Sequence, residues 1–253
     1  MSIFDQKVIK YEMKPLSSLE KVFPDETPVY RMECQMLSGL WGETVSFQVA
    51  YTGDFVMRER LDVRVVSELA EHVHVRTVEM VPVGRATNGI VDDNYLKTTS
   101  GLYPDLLKDL KDGKVIVYSR QWRSLWVDVD ITNEIPAGEY EIELQLIKEG
   151  EVVCSAKQKV TVIGTELPKL DIMHTEWMHA DCLADYYHVE VFSEEHWKLL
   201  ENYFQEYVKR DCNMMLTPLF TSPLDTAIGL ERTTCQLIDV EVKDGEYVFG
   251  FEK

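Results

Sequence analysis

An all-β sandwich followed by a partial α/β segment is the fold class that this 253-residue sequence predicts. Three observations carry the prediction. Up to residue 165, apolar and polar residues alternate at period two in several short runs. Between residues 170 and 216 the pattern changes to short apolar run, helical stripe, short apolar run. The last fifteen residues return to alternation around an Asp-Gly turn. Period two with one buried face means antiparallel sheet, and many such runs without helical spacing between them suggest two packed sheets.

In order along the chain, "ETVSFQVAYT" sets Val45, Phe47 and Val49 against Thr44, Ser46 and Gln48, and "RLDVRVVSE" does so with Leu61, Val63 and Val65. "VHVRTVEMV" and "SLWVDVDI" repeat the pattern. "EYEIELQLIKEGEVVCSAKQKVTVI" reads as a hairpin turning at Glu149-Gly150. The connection from Gly84 to Gly113 reads as irregular, with a short helix at Pro104–Leu110. After "GTELPKL", Leu170–His174 reads as a strand. Ser193 caps a helix reaching residue 211, with Glu194 and Glu195 in its positive first turn and Trp197, Leu200, Phe204, Tyr207 and Val208 on one buried face. "CNMMLTPLF" reads as a buried strand that Pro218 ends, so strand, helix and strand form one βαβ unit with parallel strands. "LIDVEVKDGEYVFGF" is a hairpin with Asp244-Gly245 at its tip. The expected division is a sandwich over 1–165 and an α/β segment over 166–253.

The formal net charge of −18 excludes a phosphate-neutralising nucleic-acid surface and opposes binding to anionic membranes. The excess is uneven, because residues 166–253 hold seven Lys and Arg against eighteen Asp and Glu. Cysteines stand singly at 34, 154, 182, 212 and 235, a pattern that implies neither a zinc ribbon nor a complete disulfide set. The first residues carry no apolar run of signal-peptide length, and no segment is apolar over a bilayer's width. The expectation is a reduced, cytoplasmic protein without a cofactor or metal.

The most unusual stretch is "TEWMHADCLADYYHVEVFSEEHW", residues 175–197, with five aromatics, six carboxylates, three histidines and no lysine or arginine. It follows the first strand of the βαβ unit, at the carboxyl edge where α/β folds bind ligands, and "TPLFTSPLDT" reaches the same edge from the second strand. Trp177, His179, Asp181, Tyr186, Tyr187 and Thr217 are therefore expected to converge. Aromatic faces beside carboxylates and imidazole suit a sugar, whose C–H face packs on the ring while its hydroxyls hydrogen-bond to the polar groups.

The segment from "PKLDIMHTEWMHADC" to "FTSPLDT" resembles the opening of the catalytic barrel in glycoside hydrolase family 123. "GLYPDLL" (101–107) and "QWRSLWVDVDITNEIPAGEYEIEL" (121–144) resemble that family's N-terminal sandwich. The resemblance implies a (β/α)8 barrel acting on β-linked N-acetylgalactosamine. There the substrate's own acetamido oxygen attacks the anomeric carbon, an aspartate orients the acetamide, and the adjacent glutamate protonates the leaving oxygen, a departure from the two-carboxylate scheme. The family's Asp-Glu pair lies on a later barrel strand. The one Asp-Glu dipeptide here is Asp25-Glu26, in a turn before a sandwich strand, and the catalytic roles do not transfer to it. A barrel needs about 250 residues, and 88 follow the sandwich. The expectation is an incomplete barrel with no catalytic residue of its own: the N-terminal portion of a glycoside-hydrolase-like protein, inactive by itself, keeping part of a sugar surface and pairing into a homodimer through open strand edges. A second reading is a free-standing carbohydrate-binding or scaffold protein that works through its sandwich. A third is a metal enzyme using the histidine-rich loop.

Overall fold

The structure, a computed structural model, describes residues 10–29, 36–55, 57–85, 89, 95–169, 171–221 and 226–251. It divides into two units, Met1–Leu167 and Pro168–Lys253. Along the first unit run β1 (Lys10–Ser17), β2 (Met36–Trp41), β3 (Thr44–Asp54), β4 (Glu59–Val66), β5 (Val73–Val83), β6 (Gly101–Asp109), β7 (Lys114–Val117), β8 (Arg123–Asp130), β9 (Gly138–Lys148) and β10 (Glu151–Glu166). They form two five-stranded sheets, ordered β1-β3-β8-β5-β6 and β2-β10-β9-β4-β7.

The alternation decides which side chains meet between the sheets. Phe47, Val49 and Tyr51 of β3 lie beside Leu125, Val127 and Val129 of β8, and with Leu61, Ile142, Leu144, Leu146 and Val160 of the other sheet they make the buried core. The opposite face of β3 is not plain solvent surface. Gln48 is buried there; its Nε2 donates to the carbonyls of Ser17, Ser18 and Glu20, and its Oε1 accepts from Ser124 Oγ at 2.9 Å. The chain after β1 thus covers this face, with Leu16, Val22, Ala50 and Trp122 packed beneath it. At the β9–β10 turn Glu149 and Gly150 both take positive φ, 52° and 90°, the geometry whose twist matches a two-residue hairpin. One neighbour pair departs from the antiparallel rule: β2 runs parallel to β10.

The helix expected at Pro104–Leu110 is instead β6, paired with β5 from Val83↔Gly101 to Arg76↔Asp109. Pro104 and the leucines behind it suit a first helical turn locally, but the open edge of β5 offers a full ladder of hydrogen bonds. Pro104 is tolerated because β6 is an edge strand and the register shifts between Val78 and Met80. "GLYPDLL" is therefore sheet, not an irregular connection.

The second unit contains β11 (Thr175–Glu176), α1 (Ala180–Tyr187), α2 (Glu194–Lys209), β12 (Met214–Met215), β13 (Asp239–Lys243) and β14 (Glu246–Gly250). The parallel pairing expected of the βαβ unit is present, but it is two residues long, Thr175↔Met214 and Glu176↔Met215. Leu170 lies outside the described residues. The expected strand at Leu170–His174 is displaced to β11, and the second strand is not buried, since Met214 is 40% exposed. Among the described residues each of these strands has a single partner, and little covers them. α2 begins at Ser193, whose Oγ accepts from His196 N, and ends at Lys209. Its expected apolar face is covered only in part: Leu200 is buried and Phe204 packs on the core, while Trp197 is 45% and Val208 69% exposed. The β13–β14 tip takes positive φ at Asp244 and Gly245, as its sequence predicts. No helix among the described residues is long and apolar enough to cross a membrane.

Candidate functional site

Asn213 organises the edge from which the site is built. Its Oδ1 accepts from His174 N at 2.9 Å, its Nδ2 donates to Ile172 O at 2.8 Å, and its own N–H reaches His174 O at 3.0 Å. The two chains entering β11 and β12 are thereby locked together. β11 then releases Trp177, Met178 and His179, and the chain turns into α1, a helix inside what reads from sequence as a polar loop. Its signal is Ala180, Leu183 and Ala184, spaced as a one-sided stripe and all buried. His188, in the left-handed region at φ 57°, stops the helix.

His196 fixes α1 against α2. The ring is fully buried; Nδ1 accepts from Phe192 N at 2.9 Å, so Nε2 carries the proton and donates to Ala180 O at 2.9 Å. Ala180, Leu183, Leu200 and Cys235 form the small core around it. The chain at 232–236 straps this pair of helices. Arg232 pairs with Asp181, Thr233 Oγ1 donates to Asp185 Oδ1 at 2.7 Å, and Gln236 Oε1 accepts from Thr221 Oγ1 at 3.1 Å.

These elements enclose a pocket of about 270 Å³, room for one small ring and just under the range of about 300–1,000 Å³ typical of drug-sized ligands. Trp177, His179, Asp181 and Thr217 line it, joined by Phe220 and Cys235. Four of the six side chains expected to converge do so. Tyr186 and Tyr187 do not line it. They sit at the far end of α1, stacked edge to face at 5.0 Å, and Tyr187 shares a 3.2 Å hydrogen bond with Tyr203 that raises its pKa. The turn of the helix carries positions 186 and 187 away from the pocket that position 181 faces.

Asp181 does not stand free in the pocket. Arg232 Nε reaches its Oδ2 at 2.5 Å and Arg232 Nη2 its Oδ1 at 2.9 Å, a bidentate pair with 8% of the Asp181 side chain and 11% of the Arg232 side chain exposed. Each carboxylate oxygen keeps a lone pair that can accept a hydroxyl. Trp177 is 67% exposed, a free aromatic face at the pocket's side. Arg232 was invisible to sequence reading, since it lies in "ERTTCQ", which has no periodicity. The one available signal is chemical: a buried carboxylate in so acidic a segment requires a cation. Among the described residues no group of three His, Cys, Asp or Glu side chains is placed to hold a metal ion, and Cys154, Cys182 and Cys212 are thiols outside any disulfide. Burial pushes the Cys154 thiol up to about 12.

Residues 177–253 match the family model described as glycoside hydrolase 123, catalytic domain. The structure superposes on a family 123 glycoside hydrolase from Clostridium perfringens, studied for glycolipid glycan hydrolysis, with a TM-score of 0.67 and 12% identity over 96% of this chain and 44% of that one. Over residues 177–253 the chain is similar to the family 123 catalytic domain. The chain spans less than half the length of that enzyme, and at this identity the superposition speaks for the fold. A β-glucosidase from Listeria innocua aligns over 63% of this chain and 17% of its own, with 10% identity and a TM-score of 0.29, too loose to bear on the fold. No curated protein sequence matches the chain.

Proposed function

We propose that the family 123-like chain binds a single sugar ring, of the N-acetylgalactosamine type, in the pocket between α1 and the segment after β12, and that by itself it does not hydrolyse the glycosidic bond. The observation that carries this reading is the meeting of Trp177, His179, Asp181 and Thr217 at the carboxyl ends of two parallel strands. Trp177 provides the stacking face, the carboxylate of Asp181, held in place by Arg232, accepts from ring hydroxyls, and Thr217 and His179 border the ring. The match of residues 177–253 to a glycoside hydrolase catalytic domain supports a carbohydrate ligand, and β11 and β12 are read as the first strands of an incomplete (β/α)8 barrel. Lack of hydrolysis follows from the chain's only Asp-Glu dipeptide. Lys97 Nζ lies 3.2 Å from Asp25 and 2.7 Å from Glu26 and sits over the Phe23 ring, so the two carboxylates lie in a sandwich turn and share one lysine. Association into a homodimer through the exposed apolar residues of 168–253 is part of the same proposal.

Calorimetric titration with N-acetylgalactosamine tests the binding. Wild type is expected to bind and Trp177→Ala to lose about 1–3 kcal/mol of affinity, the range for removing a stacking aromatic. Equal affinity in both would reject the pocket as the site.

A further inference from the structure

The sandwich itself holds a larger cleft, about 520 Å³, at the end of the two sheets where β4 and β7 face β5 and β6. Its lining breaks the pattern that built the core. Arg123 stands opposite Tyr51 and two positions before Leu125, so its register aims it between the sheets, where Leu125, Val127 and Val129 are apolar. Thr77, opposite Leu125, and Glu79 follow on β5. Polar residues at core-facing positions mark places where packing has yielded to another demand.

Three observations say what the demand is. Six cations and three carboxylates line the cleft, although acidic residues outnumber basic ones 44 to 26 in the whole protein. The side chains of Arg58, Lys108 and Lys111 have no carboxylate partner among the described residues. Arg123 lies over the Tyr118 ring at 4.8 Å, and its Nε is buried with no hydrogen-bond acceptor. A desolvated guanidinium N–H without an acceptor is destabilising, and an incoming oxyanion would satisfy it. The carboxylates of Glu79 and Asp109 beside these cations disfavour a plain polyanion and suit a ligand that also donates hydroxyl protons.

We propose that this cleft is a second carbohydrate site, selective for a sugar unit bearing a carboxylate or sulfate. The oxyanion sits on Arg123, with Lys108 and Lys111 at the rim, while Glu79 and Thr77 take the hydroxyls. The site is independent of the pocket at Trp177, and the two can fail separately.

Titration of the full chain with galactose 6-sulfate, glucuronic acid, galactose and inorganic sulfate tests it. Galactose 6-sulfate or glucuronic acid, or both, should bind at least about tenfold more tightly than galactose, a difference of about 1.4 kcal/mol, and which of the two binds identifies the anionic group. Added salt should weaken the binding. Arg123→Gln should abolish the preference without lowering thermal stability, and Trp177→Ala should leave it intact. Should Arg123→Gln not fold, Lys108→Glu with Lys111→Glu, both on exposed positions, must reduce the same affinity about tenfold or more. Absence of binding, equal affinity for galactose, inorganic sulfate binding as tightly as the acidic sugars, or an unchanged preference in these variants would each overturn the proposal.

Discussion

Arg232 holds Asp181 by two parallel hydrogen bonds, across 51 residues of sequence and with both side chains almost wholly buried. Removing one partner strands the other's charge in a small core. Arg232→Ala is therefore expected to destabilise the second unit by about 3–5 kcal/mol, measured by urea unfolding followed at Trp177 and Trp197. Asp181→Leu combined with Arg232→Met should recover most of that loss. A single variant as stable as wild type would mean the pair is not formed in solution.

His196 joins α1, α2 and their connection through two hydrogen bonds from a fully buried ring. His196→Ala leaves Phe192 N–H without its acceptor, removes one of the donors to Ala180 C=O and opens a cavity, for an expected loss of about 2–5 kcal/mol. Amide exchange at Phe192 should accelerate in the same variant if the assignment of donor and acceptor is right.

Glu59 makes a pH-dependent tie between the sheets. It accepts hydrogen bonds from Tyr11 of one sheet and from Lys148 of its own, the latter at 2.9 Å. Burial alone would raise its carboxyl, but the hydrogen bonds from Tyr11 and Lys148 hold it below its ordinary value of 4.5. A depressed folded pKa stabilises above the unfolded value and is lost as pH falls through the folded one. The melting temperature of wild type should exceed that of Glu59→Gln at pH 7, and the gap should close below pH 4.5. A gap independent of pH would refute the coupling.

Aryl β-N-acetylgalactosaminides should not be hydrolysed by this chain. Losing a general acid alone costs about 10²–10⁴ in rate, and Asp25 and Glu26 are occupied by Lys97. Turnover above buffer that survives repurification and disappears in Trp177→Ala would contradict the prediction.

Light scattering at micromolar concentration should find a dimer. Trp197 and Val208 of α2 expose apolar surface in a unit too acidic for indiscriminate aggregation. Trp197→Lys with Val208→Lys is expected to give a monomer with unchanged circular dichroism. A wild-type monomer, or a dimer untouched by the two lysines, would show that α2 does not drive association.

The strands of the sandwich, the β9–β10 and β13–β14 turns and the Ser193 cap were legible because each depends on residues within a few positions of one another. Alternation, a Gly at a positive φ, and a hydroxyl three residues before an amide are written locally. Where local preference and long-range pairing disagreed, sequence misled: Pro104–Leu110 suits a helix, and only the unpaired edge of β5 makes it β6. α1 was hidden because it is only eight residues long and its buried stripe is just Ala180, Leu183 and Ala184, with Asp181 and Asp185 between and beside them. The gathering of Trp177, His179, Asp181 and Thr217 followed from strand order, whereas the exclusion of Tyr186 and Tyr187 required the helix that turns them aside. Tertiary structure alone decided that Asp181 meets Arg232 and that the Nε of Arg123 is buried at the end of the two sheets. Charge pairing across tens of residues leaves no periodic trace in a chain; it exists only once packing has removed the water that would otherwise solvate each charge separately.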